Sequence, residues 1–267
     1  MAETATRVFD GDLLRADLFN PGGKRLFVSF RQRVQQDGGF FDAKPVRSFT
    51  DEDYAHLHLQ SRLNDWYINP ETEALEACLT AATLGYGRRV AMGFSMGGYA
   101  ALRFSRCLDL RHVILVTPQV SIHPGVVPFD RRFRDCAGGF DRDLGDLRRH
   151  GRRQLAGVVL SDPFRRLDMR NARMIQALFP RIGLARAACG GHPASRVLHH
   201  GRQFPALQGL LLDPPVRARD VTALHRAARA AAPFYWTQLA QVAERRGRAS
   251  LARDAASRAA ALEVAGG

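Results

Sequence analysis

Lysine, cysteine and long apolar runs are scarce in this sequence, and each scarcity limits what the protein can be. Lys24 and Lys44 are its only lysines. The cysteines number four and are too widely scattered for a C-x-x-C pair or a dense disulfide framework, so we expect reduced and mostly buried thiols. No apolar run is long enough to cross a bilayer, and the first residues lack the apolar core of a signal peptide, which favours a cytoplasmic location.

Acidic residues are also outnumbered. Asp and Glu number 26 against 39 Lys and Arg, which gives a formal net charge of +13. Because a preference for arginine can reflect a GC-rich genome as readily as an acidic ligand, this charge does not by itself indicate a nucleic-acid partner, and we do not expect one. The length of 267 residues and the hydrophobic content of 46% fit one large α/β domain with a small appendage.

A G-x-S-x-G pattern, G-F-S-M-G at residues 93–97, lies between an apolar run and a helix-forming run. In this context a strand ends, Ser95 occupies a sharp turn, and a helix begins, so the serine hydroxyl would face the carboxyl edge of a sheet. Glycine on both sides suits a turn that brings strand and helix close together. The alternative is a glycine-rich turn with an incidental serine.

This stretch resembles the nucleophile elbow of the α/β-hydrolase superfamily. The resemblance implies a doubly wound, mostly parallel α/β sheet in residues 1–212, with a cap insertion at about 119–155. Strands that alternate with helices from residue 71 onward favour the same architecture. The resemblance also implies a serine nucleophile, an acid and a histidine in that chain order. The chemistry needs no metal and no organic cofactor.

Asp162 is the predicted acid of this triad. It ends the apolar run 156–161, and the resemblance places the acid after the strand that follows the cap. Two alternatives stay open. Asp162 could form an ordinary Asp-Pro turn with Pro163, and Asp168 could then be the acid, unless Asp168 instead caps the following helix.

His192 is the predicted base. It follows Gly190 and Gly191, which let the chain turn and expose the imidazole. His199 and His200 compete for this role, but they fall in or beside the next predicted helix, so we interpret them as structural or surface residues.

The predicted oxyanion-hole donors are the backbone N–H of Met96 and, in the loop after the third strand, that of Arg31 or Gln32. Trp66, Tyr67 and Phe94 are candidate substrate contacts near the same edge of the sheet. Packing against the next helix explains Trp66 and Tyr67 equally well.

Two further groups of residues carry chemistry without completing a site. His56 and His58 alternate on one face of a predicted strand, but no nearby carboxylate or cysteine pattern completes a metal site, so we expect no metal there. The arginines of residues 131–153 could bind a phosphate or carboxylate on a substrate. Aspartates are interleaved with them, so mutual pairing on a solvated face is the simpler interpretation.

Residues 213–267 differ in composition and are rich in alanine and arginine. They resemble a single tetratricopeptide unit, because an aromatic-led helix from Phe234, a break at Gly247 and a second helix with small residues follow in the expected order. A lone unit buries its own face poorly, so we expect it to pack on the main domain or on another chain, as a protein partner or a homo-oligomer.

Together these features predict a serine hydrolase that cleaves an ester, thioester or related acyl bond through an acyl-enzyme. The substrate would be a small-molecule or glycan-linked acyl compound. One alternative is an acyltransferase, for example onto a sugar hydroxyl, that uses the same triad. The other is a non-catalytic hydrolase-like scaffold that binds a partner through its cap or its C-terminal helices.

Overall fold

A computed structural model describes residues 5–35 and 38–266 of the chain. Within these residues, eight strands form one sheet in the order β1-β2-β4-β3-β5-β6-β7-β8. Strand β2 pairs antiparallel with β1 and β4, and all other pairs are parallel. The strands are β1 (Thr6–Asp10), β2 (Leu14–Phe19), β3 (Arg25–Phe30), β4 (Tyr54–Ser61), β5 (Arg89–Phe94), β6 (His112–Val116), β7 (Ala156–Ser161) and β8 (Ile182–Arg186).

Helices cover both faces of this sheet. They are α1 (Arg47–Thr50), α2 (Thr72–Thr83), α3 (Met96–Arg103), α4 (Leu147–His150), α5 (Arg166–Leu178), α6 (Arg196–His200), α7 (Phe204–Gly209), α8 (Ala218–Ala228), α9 (Pro233–Arg245) and α10 (Ala249–Gly266). One core packs against α2, α3 and α5, and a second core packs against α1, α6, α7 and α8. The predicted doubly wound, mostly parallel α/β fold is confirmed.

Strand β6 shows why these residues form the centre of the sheet. Its sequence His-Val-Ile-Leu-Val is almost entirely apolar. Val113 and Leu115 lie in the first core, whereas Ile114 and Val116 lie in the second. A strand buried on both faces needs this continuous apolar run rather than an alternating one.

The carboxyl ends of the parallel strands lie side by side and are joined by backbone hydrogen bonds. The N–H of Ser95 donates to the carbonyl of Val116 over 2.9 Å, and the N–H of Thr117 donates to Leu160 over 2.9 Å. The N–H of Ala187 likewise donates to Ser161 over 2.9 Å. The segments that follow β5, β6, β7 and β8 therefore leave the sheet together, at one edge.

The predicted cap contains mainly turns, with the short helix α4 near its end. Its second half is fixed to the body through α3. The hydroxyl of Tyr99 donates to Gly145 over 2.8 Å, and the buried guanidinium of Arg103 donates to Leu144 over 2.6 Å. The same guanidinium pairs with Glu76 of α2 at 2.6 Å. This half of the cap is thus held on α3, which is itself joined to α2.

The three helices after residue 213 pack in two different ways. Val221 and Ala228 of α8 belong to the second core, so α8 covers the sheet like the helices before it. Helices α9 and α10 pack on each other, and Phe234 and Tyr235 of α9 contact the second core. The tetratricopeptide-like character of this hairpin and the boundary at residue 213 stay predictions.

All four cysteines are free thiols, and Cys189 is buried. No described helix combines the length and the apolarity that a membrane-spanning helix needs.

Candidate active site

Ser95 lies between the end of β5 and the first turn of α3, in a strained backbone conformation. Its φ of 47° and ψ of −116° fall outside the regions that L-residues prefer. A Cβ at Gly93 would lie 2.4 Å from the carbonyl oxygen of Gly97, and one at Gly97 would lie 2.8 Å from that of Phe30. Only glycine fits at these two positions, which explains the predicted spacing around the serine.

The Ser95 side chain is only 6% exposed and contacts Gln119, which follows β6. The Ser95 hydroxyl donates to Oε1 of Gln119 over 3.3 Å. The indole N–H of Trp66 donates to the same oxygen over 3.2 Å, and the Gln119 amide nitrogen donates to the carbonyl of Thr117 over 3.1 Å. Sequence reasoning missed Gln119, because no motif marks a glutamine after this strand.

Two backbone N–H groups near Ser95 have no acceptor among the described residues. The N–H of Met96, at the first position of α3, is one, and that of Gln32 is the other. Helix N-termini leave such donors unsatisfied, and an oxyanion-hole donor must be free in this way. The prediction for Met96 is thus compatible with the geometry.

Arg31 is excluded as an oxyanion donor, because its N–H donates to the carbonyl of Leu59 over 2.8 Å in the sheet. Its carbonyl accepts a hydrogen bond from the Tyr67 hydroxyl over 2.9 Å. In a trans peptide the C=O and N–H point in opposite directions, so the N–H of Gln32 points away from Tyr67. Of the two alternatives for the second donor, Gln32 fits.

The predicted substrate contacts Trp66 and Tyr67 are buried instead, with 0% exposure each. Both have positive φ, at 55° and 61°, in a tight turn that turns their rings into the core. Trp66 holds Gln119 and Tyr67 holds the peptide before Gln32, so both support the site from beneath rather than contact a substrate. Phe94 is half-buried, and its ring lies near that of Phe204.

The carboxylate beside His192 is Asp168, not Asp162. Nδ1 of His192 lies 3.0 Å from Oδ2 of Asp168, which is in the first turn of α5 and 1% exposed. Asp162 instead accepts backbone N–H groups, from Cys189 at 3.2 Å and from Gly191 at 2.9 Å. Its oxygens hold the loop that carries His192, which corrects the assignment of Asp162 as the acid.

The spacing of residues in α5 contained the signal for Asp168. Asp168, Ala172 and Ile175 recur at helical spacing and are all buried. A carboxylate on the buried stripe of an amphipathic helix needs a partner, because burying an unpaired charge is costly. Only the position of Asp162 directly after a strand made it the stronger candidate in the sequence.

Asp168 also binds an arginine of the cap. Nη1 of Arg132 lies 2.7 Å from Oδ1 of Asp168. Nε and Nη2 of the same guanidinium donate to the two carboxylate oxygens of Asp130, over 2.9 and 2.7 Å. Asn171 donates to Asp130 over 2.9 Å and closes the cluster. Burial raises the pKa of Asp168, but the hydrogen bonds and charges of His192 and Arg132 outweigh this effect and bring the pKa below its usual value.

In a neutral imidazole, the contact with an ionised Asp168 favours the tautomer of His192 that carries its proton on Nδ1. Nε2 then holds a lone pair and can accept a proton. The His192 side chain is 28% exposed, whereas Ser95 is nearly buried. Within the described residues no hydrogen bond joins Ser95 to His192, since the serine hydroxyl donates to Gln119.

His56 and His58 share one face of β4, as predicted, and both contact Ser29 at 2.7 Å. The N–H of Val46 donates to the other nitrogen of His56 over 3.2 Å. Burial lowers the pKa of His56 to about 3 and that of His58 to about 4. In the described ranges no three His, Cys, Asp or Glu side chains are arranged to hold a metal ion.

The interleaved charges of the cap pair only in part as predicted. Arg149 lies 3.4 Å from Asp143, both of them exposed, which fits pairing on a solvated face. Arg132 departs from this pattern, because it extends from its neighbour Asp130 to the buried Asp168.

No family model matches this chain, and no curated protein matches it. The chain is similar to the capsule O-acetyltransferase of Neisseria meningitidis serogroup A, with a TM-score of 0.55 at 13% identity over 77% of this chain and 93% of that one. An H228A mutant of that enzyme, solved in complex with CoA, gives a TM-score of 0.56 at 12% identity over 78% of this chain and 95% of that one.

MGS-M1, an alpha/beta hydrolase enzyme from a deep-sea metagenome library, is less similar. Its TM-score is 0.42 at 12% identity over 73% of this chain and 88% of that one. At 12–13% identity, the likeness to the capsule O-acetyltransferase indicates the fold alone. The sheet order, the helices on both faces and the strand–serine–helix turn are those of the α/β-hydrolase fold.

Proposed function

We propose that this protein is a serine hydrolase that cleaves ester or thioester bonds through an acyl-enzyme on Ser95. The observation that carries the proposal is the convergence of three features at one sheet edge. These are a serine on a strained turn, the free N–H of Met96 beside it, and a histidine already paired with a buried carboxylate. Asp168 takes the part of the acid that the sequence had suggested for Asp162.

Acylation begins when the Ser95 hydroxyl turns from Gln119 to Nε2 of His192. Nε2 accepts the hydroxyl proton as the Ser95 oxygen attacks the substrate carbonyl, and Asp168 stabilises the imidazolium that forms. The negative charge on the carbonyl oxygen is met by the N–H groups of Met96 and Gln32. One such donor typically contributes about 10²–10³ in rate.

Collapse of this intermediate breaks the bond to the leaving group, which takes the proton from His192. A water molecule then attacks the acyl group on Ser95 and gives a proton to His192. When the bond to Ser95 breaks, the proton returns to the serine oxygen and the acid is released. The nearly complete burial of Ser95 limits access and favours a small acyl group such as acetyl.

A second candidate function is acyl transfer to a hydroxyl. It is favoured by the likeness to the capsule O-acetyltransferase, which spans 93% of that chain. The same residues would form the acyl-enzyme, and an alcohol would replace water in the second half of the reaction. A CoA thioester is then a donor to test, because the H228A structure of that enzyme was solved with CoA.

The proposal is tested by acetyl release from p-nitrophenyl acetate and from acetyl-CoA, followed as p-nitrophenol and as free thiol. The wild type is expected to turn over at least one of them. Ser95→Ala should abolish turnover, whereas Ser250→Ala, a matched serine change in α10, should leave it intact. Turnover by Ser95→Ala at the wild-type rate, or none by the wild type with either donor, would refute the proposal.

A further inference from the structure

Gln119 is held in one orientation beside the Ser95 hydroxyl. An indole N–H can only donate and a backbone carbonyl can only accept. Because Trp66 contacts one end of the Gln119 amide and the Thr117 carbonyl contacts the other, the amide oxygen must face Trp66 and Ser95. The site therefore presents a fixed hydrogen-bond acceptor to the serine.

The surroundings shield this acceptor from bulk solvent in the free enzyme. Gln119 and Trp66 are both 0% exposed. The backbone next to Gln119 is also fixed, because the N–H of Val120 donates to Asn171 of α5 over 2.9 Å. An amide held at both ends and at its backbone keeps its place when the groups on Ser95 change.

Acylation of Ser95 removes one of the two donors to this oxygen and leaves the indole N–H of Trp66. The serine oxygen becomes an ester oxygen without a proton, so it no longer donates to Gln119. An acceptor oxygen repels an oxyanion, so the carbonyl oxygen of the acyl group must lie elsewhere, toward Met96 and Gln32. The group that fits beside Gln119 in the acyl-enzyme is a hydrogen-bond donor close to the serine oxygen.

We propose that Gln119 is a positioning residue for the nucleophile that attacks the acyl-enzyme, and that it favours water over a simple alcohol. This inference rests on the proposed function and refines its second step. In that step the oxygen of water bonds to the acyl carbon and gives one proton to Nε2 of His192. The second proton stays on that oxygen and donates to Oε1 of Gln119.

Collapse then breaks the bond between the serine oxygen and the acyl carbon. His192 returns its proton to the serine oxygen, and the carboxylic acid leaves. An alcohol has a single hydroxyl proton, which His192 removes, so nothing is left to donate to Gln119. An acceptor such as a diol, with a second hydroxyl nearby, would regain that hydrogen bond.

The test is the partition of one acetyl-enzyme between water and methanol. The enzyme is supplied with p-nitrophenyl acetate at a fixed methanol concentration, and methyl acetate and acetate are measured. Gln119→Met, which keeps the length but removes the acceptor, is expected to raise the ratio of methyl acetate to acetate roughly three- to tenfold. Gln208→Met, the same change in α7, should leave the ratio unchanged.

Because both products arise from the same intermediate, this ratio does not depend on the amount of folded enzyme or on the rate of acylation. Gln119→Leu should shift it in the same direction, which keeps the test decisive if methionine packs poorly. An unchanged or lowered ratio in variants that still release p-nitrophenol would overturn the inference alone. Absence of p-nitrophenol release by the wild type would overturn the proposed acyl-enzyme on this donor as well.

Discussion

At the residue scale, Asp162 and Asp168 lie at the same sheet edge but accept different hydrogen bonds. Asp162 receives the backbone N–H groups of Cys189 and Gly191, whereas Asp168 receives the side chains of His192 and Arg132. A carboxylate bound to backbone sets the path of a loop. A carboxylate bound to an imidazole stabilises the charge that the ring acquires during catalysis.

This difference predicts separate effects for two matched substitutions. Asp168→Asn is expected to lower kcat by roughly 10³–10⁴, because the amide cannot stabilise an imidazolium and favours the wrong tautomer. Asp162→Asn places an amide NH₂ against backbone donors, so it should lower the thermal unfolding midpoint and affect kcat less. Steady-state kinetics and thermal unfolding of both variants check this. A larger loss of kcat in Asp162→Asn than in Asp168→Asn would reverse the assignment.

At the scale of elements, the cap and α5 meet at the pair between Arg132 and Asp168. The arginine lies between two carboxylates, those of Asp130 and Asp168, at 2.7 Å from each. Without the guanidinium these two acids would repel each other, and the pKa of Asp168 would rise. Arg132 of the predicted cap thereby influences the charge state of the proposed acid.

Arg132→Met should therefore change the pH dependence of activity. The proposed mechanism needs a neutral His192 beside an ionised Asp168, so activity is lost when acid protonates this pair. Because Arg132 helps to hold the pKa of Asp168 below its usual value, removal of this guanidinium should move the acid limb of kcat/KM to higher pH. The exposed neighbour Arg131→Met should leave the profile unchanged. An acid limb that does not move in a folded Arg132→Met variant would show that the pair is only structural.

At the scale of the whole molecule, buried histidines tie stability to pH. Burial lowers the pKa of His56 to about 3, and burial together with the charge of Arg229 lowers that of His225 to about 4. Both are neutral when folded, while the unfolded chain protonates near the usual value of about 6.5. The stability from neutral burial is complete above that value and is lost as the pH falls below it.

His225→Gln is expected to reduce this acid sensitivity, because glutamine can still donate to the carbonyl of Ala188 but does not titrate. Between pH 7 and pH 5, the free energy of unfolding should fall by roughly 2 kcal/mol less in this variant than in the wild type. Chemical denaturation at the two pH values measures the difference. His200→Gln, at an exposed position, is the control, and an equal fall in His225→Gln and the wild type would contradict the account.

The sequence predicts the fold well because periodicity and turn chemistry are local. The apolar run of β6 predicts a buried strand, and the glycines around Ser95 predict a tight turn. Neither prediction needs information about distant parts of the chain. The candidate site is predicted less completely, because contacts such as Arg132 with Asp168 join residues far apart in the chain. Trp66 illustrates the limit, since its burial depends on a turn with positive φ that its residue types do not signal.

The most direct test of the central claim is reaction of the intact protein with a fluorophosphonate probe, followed by mass analysis. One adduct is expected on the wild type, mapped to Ser95, and none on Ser95→Ala. His192→Ala should label much more slowly, because the serine loses its base. A wild type that gains no adduct, or an adduct that persists in Ser95→Ala, would contradict the assignment of Ser95 as the nucleophile.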